Sequence, residues 1–352
     1  MAWQGIEGHD AIVAGFVAAQ ARGRVAGSYL FVGPSGVGKG TFARALAKAL
    51  TCAAAGPGLV PCGACVSCIQ AAAGSHPDID VVGKPEDRAT IPLELLIGAG
   101  EQRMREGLVW RLLLRPVLGT RKVAIILDAD HLAEEAANCL LKTLEEPPAG
   151  AAIILVGTGI ERQLPTIRSR CQIVRFRPLP DDAVERILTA EARLAGGTVD
   201  ADAVHRRAVA AGGSLARGRA LADPALAEFR GRLLELLGRR PLPGVELARD
   251  LLAVVEAAGK EAPPRRARLR LVLETVVDFL HAASREAVTG AAPADPGFRR
   301  ATPAWVADPE ATAAAIQHTL DALDGIERNA NLTVLVDAWT AILEEPRLAS
   351  LA

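Results

Sequence analysis

The glycine-rich segment from Gly33 to Thr41 constrains the fold of this chain more than any other part of its sequence. It reads Gly-Pro-Ser-Gly-Val-Gly-Lys-Gly-Thr and follows the short apolar run 29–32, and apolar residues recur at helical spacing over residues 41–50. A glycine-rich turn between a strand and a helix points its backbone N–H groups at phosphate oxygens. The sequence therefore predicts a strand, a phosphate-binding loop and a helix in direct succession.

The loop departs from the usual pattern at one position. Ser or Thr normally follows the lysine and holds Mg²⁺ through its hydroxyl, but Gly40 stands there. The same Gly-Lys-Gly-Thr run occurs in guanylate and adenylate kinases, so nucleotide binding and an inherited, inactive loop both stay open. The candidate nucleotide-binding residues of the loop are Gly33, Gly36, Gly38, Lys39, Gly40 and Thr41.

Clustered cysteines follow the loop by about one helix. Two-residue gaps let a tight turn aim neighbouring sulfurs at one ion, and four thiolates fill a tetrahedral, structural zinc site. Iron–sulfur ligation is the alternative, but nothing else in the sequence indicates redox chemistry. Cys139 lies on the apolar side of a predicted helix and is expected in the core. The predicted metal ligands are Cys52, Cys62, Cys65 and Cys68.

Composition limits the class of protein. The chain has 352 residues, of which 50% are hydrophobic, 23% charged and only 3% aromatic, which suits two or three helix-rich globular domains. With a net charge of -1, the protein has no overall positive potential that would attract nucleic acid. We find no apolar run long enough for a membrane span and no signal-peptide pattern. We therefore expect a cytoplasmic protein, in which thiols stay reduced.

Strand-like and helical runs alternate through the first half of the chain. Such alternation predicts an α/β fold with a parallel sheet covered on both faces. Beyond residue 180 we expect helices only, with a loop at 288–305. The further strands are predicted at 79–82, 123–127, 152–156 and 173–176, and helices near 92–106 and 131–146. The predicted domains are 1–180, 181–222, a small helical domain, and 223–352, with four or five longer helices.

The apolar strand 123–127 ends in Asp128, which resembles the Walker B strand, whose Asp holds Mg²⁺ through water. A Glu that polarises the attacking water follows in hydrolysing proteins, but here the next residue is Ala129. Asp130 comes one place later, and we expect it to point away from the site. Loss of a catalytic base costs on the order of 10²–10⁴ in rate. With Gly40 and Ala129 in these places, we expect little or no ATP turnover by this chain alone.

In order along residues 1–180, these features resemble the delta-prime family of bacterial DNA polymerase III clamp-loader subunits, in the AAA+ superfamily. The most specific elements are the run Leu-Glu-Glu-Pro-Pro at 144–148 and Ser-Arg-Cys at 169–171. The second half matches only in being helical. The resemblance implies an AAA+ nucleotide-binding-type domain carrying a small structural zinc module, then a helical lid domain and a helical collar domain for oligomerisation.

The resemblance also implies site residues. Arg170 occupies the place of an arginine finger, which projects into the ATP site of a ring neighbour and suits the spread charge of a transferring phosphoryl group. Pairing of Arg170 with a local acid is the plain alternative. Thr158 lies where relatives place a sensor of the γ-phosphate, and Arg217 or Arg219 occupies the place of a second sensor.

Other polar residues receive no chemical role. Lys142, Glu145 and Glu146 are interpreted as a solvated helix end stopped by two prolines, and His76 as a loop residue rather than a zinc ligand. Arginines between positions 103 and 115 could line a DNA-facing surface, although a solvated helix face is the simpler interpretation. They are Arg103, Arg105, Arg111 and Arg115.

The implied function is that of a non-hydrolysing subunit of the DNA polymerase III holoenzyme. It would join tau/gamma and delta subunits in a ring and help to load the sliding clamp on primed DNA. Zn²⁺ would be structural, and ATP with Mg²⁺ is an open possibility. The alternatives are an active tau/gamma-like ATPase, a nucleoside monophosphate kinase, and a zinc-dependent nucleic-acid-binding module, which the near-neutral charge disfavours.

Overall fold

The computed structural model describes residue 3 and residues 6–56, 58–85, 88–103, 105–196 and 199–344. It divides into two compact units. Unit 1 comprises Met1–Ile187 and Gly213–Ala216, and unit 2 comprises Leu188–Gly212 and Arg217–Ala352. The division into three domains with limits at 180 and 222 stays a prediction.

Unit 1 is built on a five-stranded sheet in which every pairing is parallel. Its strands are β1 (Ser28–Val32), β2 (Ile79–Val82), β3 (Lys122–Ile126), β4 (Ala151–Val156) and β5 (Gln172–Arg175). Their order across the sheet is β2-β3-β4-β1-β5. The three inner strands are buried along their whole length, as their continuous apolar runs predict. The predicted parallel sheet is confirmed, with strand limits shifted by at most one residue.

Helices cover both faces of this sheet. Those of unit 1 are α1 (Asp10–Ala21), α2 (Lys39–Thr51), α3 (Val66–Ala73), α4 (Leu93–Ile97), α5 (Gly107–Leu113), α6 (Glu134–Glu145) and α7 (Pro165–Arg168). Phe31 of β1 packs with Phe16 of α1 and Leu46 of α2 in one cluster. The next residue back, Leu30, belongs to the opposite cluster with Leu140 of α6. Alternating side chains of one strand thus fill two separate core layers.

The single helix predicted near 92–106 is wrong. The chain instead forms α4, a short 3₁₀ turn and α5. Gly98 has φ of 81° and follows the last residue of α4, and a side chain there would lie 2.7 Å from the carbonyl oxygen of Gln102. This left-handed residue ends α4 inside the predicted span, and α5 begins only at Gly107.

A buried carboxylate fixes the segment that leads into β3. Asp78 is fully buried and accepts hydrogen bonds from the N–H groups of Val117, Leu118 and Gly119 at 2.8, 2.8 and 3.0 Å. The ammonium of Lys122 lies 3.3 Å away. Burial raises the pKa of Asp78, but the three N–H groups and Lys122 outweigh it, and the pKa lies below its ordinary value. The Asp78 carboxylate therefore holds this segment as a charged acceptor.

We expect Asp78→Ala to lower the free energy of unfolding by about 3 kcal/mol, because Lys122 and three N–H groups lose their acceptor in a buried place. Asp80→Ala is the matched control. Its partner Arg111, at 2.5 Å, has a side chain that is 40% exposed, and loss of such a pair costs less than about 1 kcal/mol. Urea unfolding measures both, and equal effects would contradict the assigned anchor role.

Unit 2 is helical throughout its described residues. Two helices cross the limits between the units, α8 (Asp181–Leu194) and α10 (Leu215–Ala220). The others are α9 (Ala201–Ala211), α11 (Pro224–Leu237), α12 (Gly244–Glu256), α13 (Ala262–Thr289), α14 (Pro296–Ala301), α15 (Pro303–Val306), α16 (Pro309–Glu327) and α17 (Leu332–Glu344). The predicted long helices beyond residue 223 are confirmed as five.

The loop predicted at 288–305 is wrong in part, because α14 and α15 lie within it. The Asp295 carboxylate accepts from the N–H groups of Gly297 and Phe298, and a proline begins each helix, so local capping outweighs the Ala, Pro and Gly composition. Trp305 of α15 is fully buried and donates its indole N–H to the carbonyl of Leu237 at 2.8 Å. Among the described helices, none is long and apolar enough to cross a membrane.

Candidate functional site

The glycine-rich loop lies between β1 and the first turn of α2, at the carboxyl end of the sheet. Gly33 has φ of 150°, and a side chain there would lie 2.3 Å from the carbonyl oxygen of Phe176, so only glycine fits. Its N–H donates to the carbonyl of Thr158 at 3.2 Å, which ties the loop to the end of β4. Thr41 is exposed on the first turn of α2. The structure thus brings the predicted loop and the predicted sensor position together.

Lys39 is the buried cation of this loop. Its side chain is 7% exposed, and its ammonium donates to the carbonyls of Gly33 and Pro34, each at 2.6 Å. Burial lowers the pKa of Lys39 to about 8, against the attraction of Asp130 and, more weakly, Asp128. A phosphate in the loop would compete with the two carbonyls for this ammonium.

Lys39→Met is expected to remove a pH-dependent part of the stability. At pH values between about 8, the folded pKa of Lys39, and 10.5, its ordinary value, Lys39 is more fully protonated in the unfolded chain than in the folded protein. The stability of the wild type therefore rises with pH over this range. Between about pH 7.5 and about pH 10.5, wild type should gain up to about 3 kcal/mol relative to the variant in urea unfolding. The exposed Lys142→Met serves as control. A pH-independent difference for Lys39→Met would show that its pKa is ordinary.

Asp130 does not point away from the loop, contrary to the prediction. Its carboxylate accepts from the N–H and hydroxyl of Thr158 at 2.7 and 2.8 Å, and from the side-chain amide of Gln163. The alternation of side chains along a strand does not apply to Asp130, because β3 ends at Ile126. Asp128 takes the left-handed conformation with φ of 54° and starts a 3₁₀ turn, which returns Asp130 to the end of β4. The Asp128 carboxylate lies beside Gly83, after β2.

Arg170 follows α7 at the surface of unit 1. Its Nε donates to the Glu145 carboxylate at 3.1 Å, and its Nη1 donates to the carbonyl of Thr166 at 3.1 Å and the hydroxyl of Ser169 at 3.2 Å. The side chain is 30% exposed. The local acid considered from sequence is therefore present, and it is Glu145, to which the sequence assigned no role. The Leu-Glu-Glu-Pro-Pro and Ser-Arg-Cys runs meet through this pair.

The four clustered sulfurs lie within 4.8 Å of one another. Cys52 ends α2, Cys65 caps α3 and Cys68 lies in its first turn. Sulfur–sulfur distances are 3.7 Å for Cys52–Cys62, 3.8 Å for Cys52–Cys65 and 4.0 Å for Cys62–Cys68. A tetrahedron with zinc–sulfur bonds of about 2.3 Å has edges of about 3.8 Å. The cluster therefore fits a tetrahedral zinc ion.

Backbone N–H groups support the sulfurs, as expected for thiolate ligands. The N–H of Cys65 donates to Cys62 Sγ at 3.3 Å, and that of Cys68 donates to Cys65 Sγ at 3.4 Å. The N–H groups of Ala64 and Cys65 lower the pKa of Cys62 to about 6, whereas burial raises the pKa of Cys68 to about 12. All six cysteines are free thiols, and Cys139 is partly buried against the core of unit 1.

His76 stands outside the sulfur cluster, in a buried polar bridge. Its Nδ1 accepts from the N–H of Asp78 at 2.9 Å, so its Nε2 carries the proton shared with Ser67 Oγ at 2.8 Å. Ser67 in turn donates to the carbonyl of Thr51 at 3.0 Å. The bridge connects α3, next to Cys68, with the end of α2 and the start of β2. His76 is thus a buried structural residue in the loop between α3 and β2, outside the sulfur cluster.

The two candidates for a second sensor both have local acidic partners in unit 2. Arg217 is buried and pairs with Asp278, with Glu274 at 3.8 Å. Arg219 pairs with Glu191 at 2.6 Å. These contacts do not distinguish the two arginines as sensors, so the assignment stays a prediction.

A family model matches the part of the chain that carries the loop, the cysteine cluster and Arg170. The family model described as "DNA polymerase III, delta subunit" matches residues 8–180. The chain is 39% identical over 165 residues to the DNA polymerase III delta' subunit of Pseudomonas aeruginosa, covering 46% of each. The delta' subunit of Bacillus subtilis is 35% identical over 162 residues, 46% of this chain and 45% of that protein.

A longer match is found to a different subunit. The gamma/tau subunit of Mycobacterium tuberculosis is 35% identical over 260 residues, covering 72% of this chain and 43% of that protein. The matched part of this chain thus spans less than half the length of each of these relatives.

Proposed function

Because the chain belongs to the family of DNA polymerase III clamp-loader subunits, we propose that it is a delta-prime-type subunit. In this proposal it joins gamma/tau-type and delta-type subunits in an AAA+ ring that loads the sliding clamp on primed DNA. Its Arg170 enters the ATP site of a neighbour, and the chain itself hydrolyses no ATP. The observation that carries the proposal is the surface position of Arg170, whose guanidinium is held through Nε and Nη1.

The contacts of the loop support a non-hydrolysing role. Ala129 replaces the catalytic Glu, and Gly40 replaces the hydroxyl residue that holds Mg²⁺. Asp130 is the acid with the larger electrostatic effect on Lys39, but its carboxylate already accepts hydrogen bonds from Thr158 and Gln163. A carboxylate held in this way is poorly placed to polarise an attacking water.

We further propose that the four-cysteine cluster holds one structural Zn²⁺. Zinc would cross-link the end of α2 to α3 through Cys52 and Cys68, and four sulfurs leave no coordination position for water. The bridge from Ser67 to His76 anchors the same module to the sheet. Zinc here would supply stability, and no step of ATP hydrolysis passes through it.

An active gamma/tau-type ATPase is the second candidate, and the longer match to the Mycobacterium tuberculosis gamma/tau subunit favours it. The two candidates differ in what the isolated chain does with ATP. Phosphate release by the purified chain should stay at the level of its Lys39→Ala variant. It should rise when gamma/tau and delta subunits of the same organism, the clamp and primed DNA are added.

Rapid ATP hydrolysis by the isolated chain would favour the gamma/tau-type candidate. Phosphate transfer to GMP or AMP would instead point to a nucleoside monophosphate kinase. Failure of the chain to enter a complex with gamma/tau and delta subunits would contradict the proposed assembly.

A further inference from the structure

Some donors of the Arg170 guanidinium are bound within the chain, and others are not. Nε and Nη1 are used within the chain, by Glu145, Thr166 and Ser169. Nη2 makes no hydrogen bond to any residue that the structure describes. A guanidinium is a planar group with five N–H donors, so contacts at both Nε and Nη1 fix its plane and with it the directions of the Nη2 N–H groups.

Glu145 is well placed to hold Nε of Arg170, because it is the last residue of a firmly packed helix. The preceding residue, Leu144, is 1% exposed, and its carbonyl accepts a 2.9 Å hydrogen bond from the Ser28 hydroxyl at the start of β1. Pro147 and Pro148 then end the helical path. The position of the Glu145 carboxylate is thus tied to the strand that leads into the phosphate loop.

We infer that Glu145 is a positioning residue for Arg170, and this inference rests on the proposed function. An arginine side chain loses much conformational freedom when it binds in one geometry. The carboxylate of Glu145 holds the guanidinium by Nε before the neighbouring subunit docks, and leaves Nη2 facing outward for a phosphate oxygen. Preorganised charge of this kind contributes most in the transition state.

The chain contains a matched control beside Glu145. Glu146 is also exposed and acidic, but its side chain forms no ion pair or hydrogen bond within the described residues. Replacing either glutamate removes the same charge from almost the same place. A difference between the two variants therefore reports the contact with Arg170 and not the change in net charge.

The test measures ATP hydrolysis by the complex reconstituted with gamma/tau and delta subunits. We expect Glu145→Ala to lower kcat about tenfold with KM unchanged, because misplacing a group in the transition state reduces the rate of the chemical step. Glu145→Gln should restore most of the rate, since its amide oxygen still accepts from Nε. Glu146→Ala should have no effect. In an Arg170→Ala background, Glu145→Ala should cause no further loss.

Each outcome has a distinct meaning. A normal rate for Glu145→Ala, together with a low rate for Arg170→Ala, overturns the positioning role and leaves the proposed function intact. A faster Glu145→Ala complex also overturns it, because the pair would then restrain the arginine. A normal rate for Arg170→Ala removes the proposed function itself. Melting temperatures of all variants, compared with wild type, show whether each one folds.

Discussion

Replacing Arg170 by alanine is expected to lower ATP hydrolysis at the neighbouring site that it serves by about 10³-fold, the lower end of the range for arginine fingers. The complex should still assemble, because the Arg170 side chain is partly exposed and its acidic partner Glu145 is 61% exposed. Phosphate release by the reconstituted complex measures the loss. ATP sites served by other subunits continue to hydrolyse ATP and hide part of the loss in the total rate. Single-turnover measurement at saturating ATP therefore detects the loss more clearly.

Two further substitutions distinguish an arginine finger at position 170 from an ordinary surface arginine. Arg170→Lys should stay impaired, because an ammonium lacks the planar set of donors through which a guanidinium can contact Glu145 and a phosphoryl group together. Arg168→Ala is the control. Arg168 lies two residues earlier, and its guanidinium donates to the carbonyl of Ile160 at 3.5 Å, so its loss should leave hydrolysis unchanged. Equal rates for Arg170→Ala and wild type would remove the finger role.

Replacing Cys68 by serine is expected to reduce bound zinc from one equivalent per chain to none. Cys68 is fully buried, and its sulfur closes the cluster at 4.0 Å from Cys62. Serine offers a neutral hydroxyl in place of a thiolate, which is too weak a ligand for a structural site. Zinc binding is worth about 10–16 kcal/mol in zinc-finger peptides, and we expect the destabilisation here to be a fraction of that, since α2 also packs on the sheet.

Metal analysis of the purified proteins and thermal unfolding with and without a chelator measure both effects. Cys139→Ser provides the control, because Cys139 lies on α6, outside the sulfur cluster, and should keep one equivalent of zinc. Wild-type protein that contains iron and inorganic sulfide would show an iron–sulfur cluster instead. Wild-type protein that binds no zinc would contradict the metal assignment altogether.

The parts of the fold that follow local rules were predictable. Buried parallel strands are continuous apolar runs, and every predicted strand is present because both faces of the sheet are covered by helices. The cysteine spacing by itself also predicts that sulfurs lie close together, since Cys-x-x-Cys places two of them on one turn. The proximity of Cys52 to the other three sulfurs follows from the short chain between α2 and α3.

The errors occurred where a local signal was weaker than backbone geometry or capping. The segment 92–106 was predicted to be helical, but the left-handed Gly98 ends α4 within it. The small residues of 288–305 favoured a loop, but Asp295 caps a helix there. In both places the deciding contact is short in sequence, so glycine and cap positions were signals that could have been weighed more heavily.

The strand-loop-helix order and the sulfur cluster could be deduced from the amino-acid order, because each depends on contacts between residues close along the chain. The partners of Asp130 and Arg170 could not. Thr158 is 28 residues from Asp130, and Glu145 is 25 residues from Arg170. Such pairs form only when packing brings the ends of separate strands and helices together. The sequence around a charged residue does not indicate which distant residue it will contact, so the partner is decided only by the tertiary packing of the whole unit.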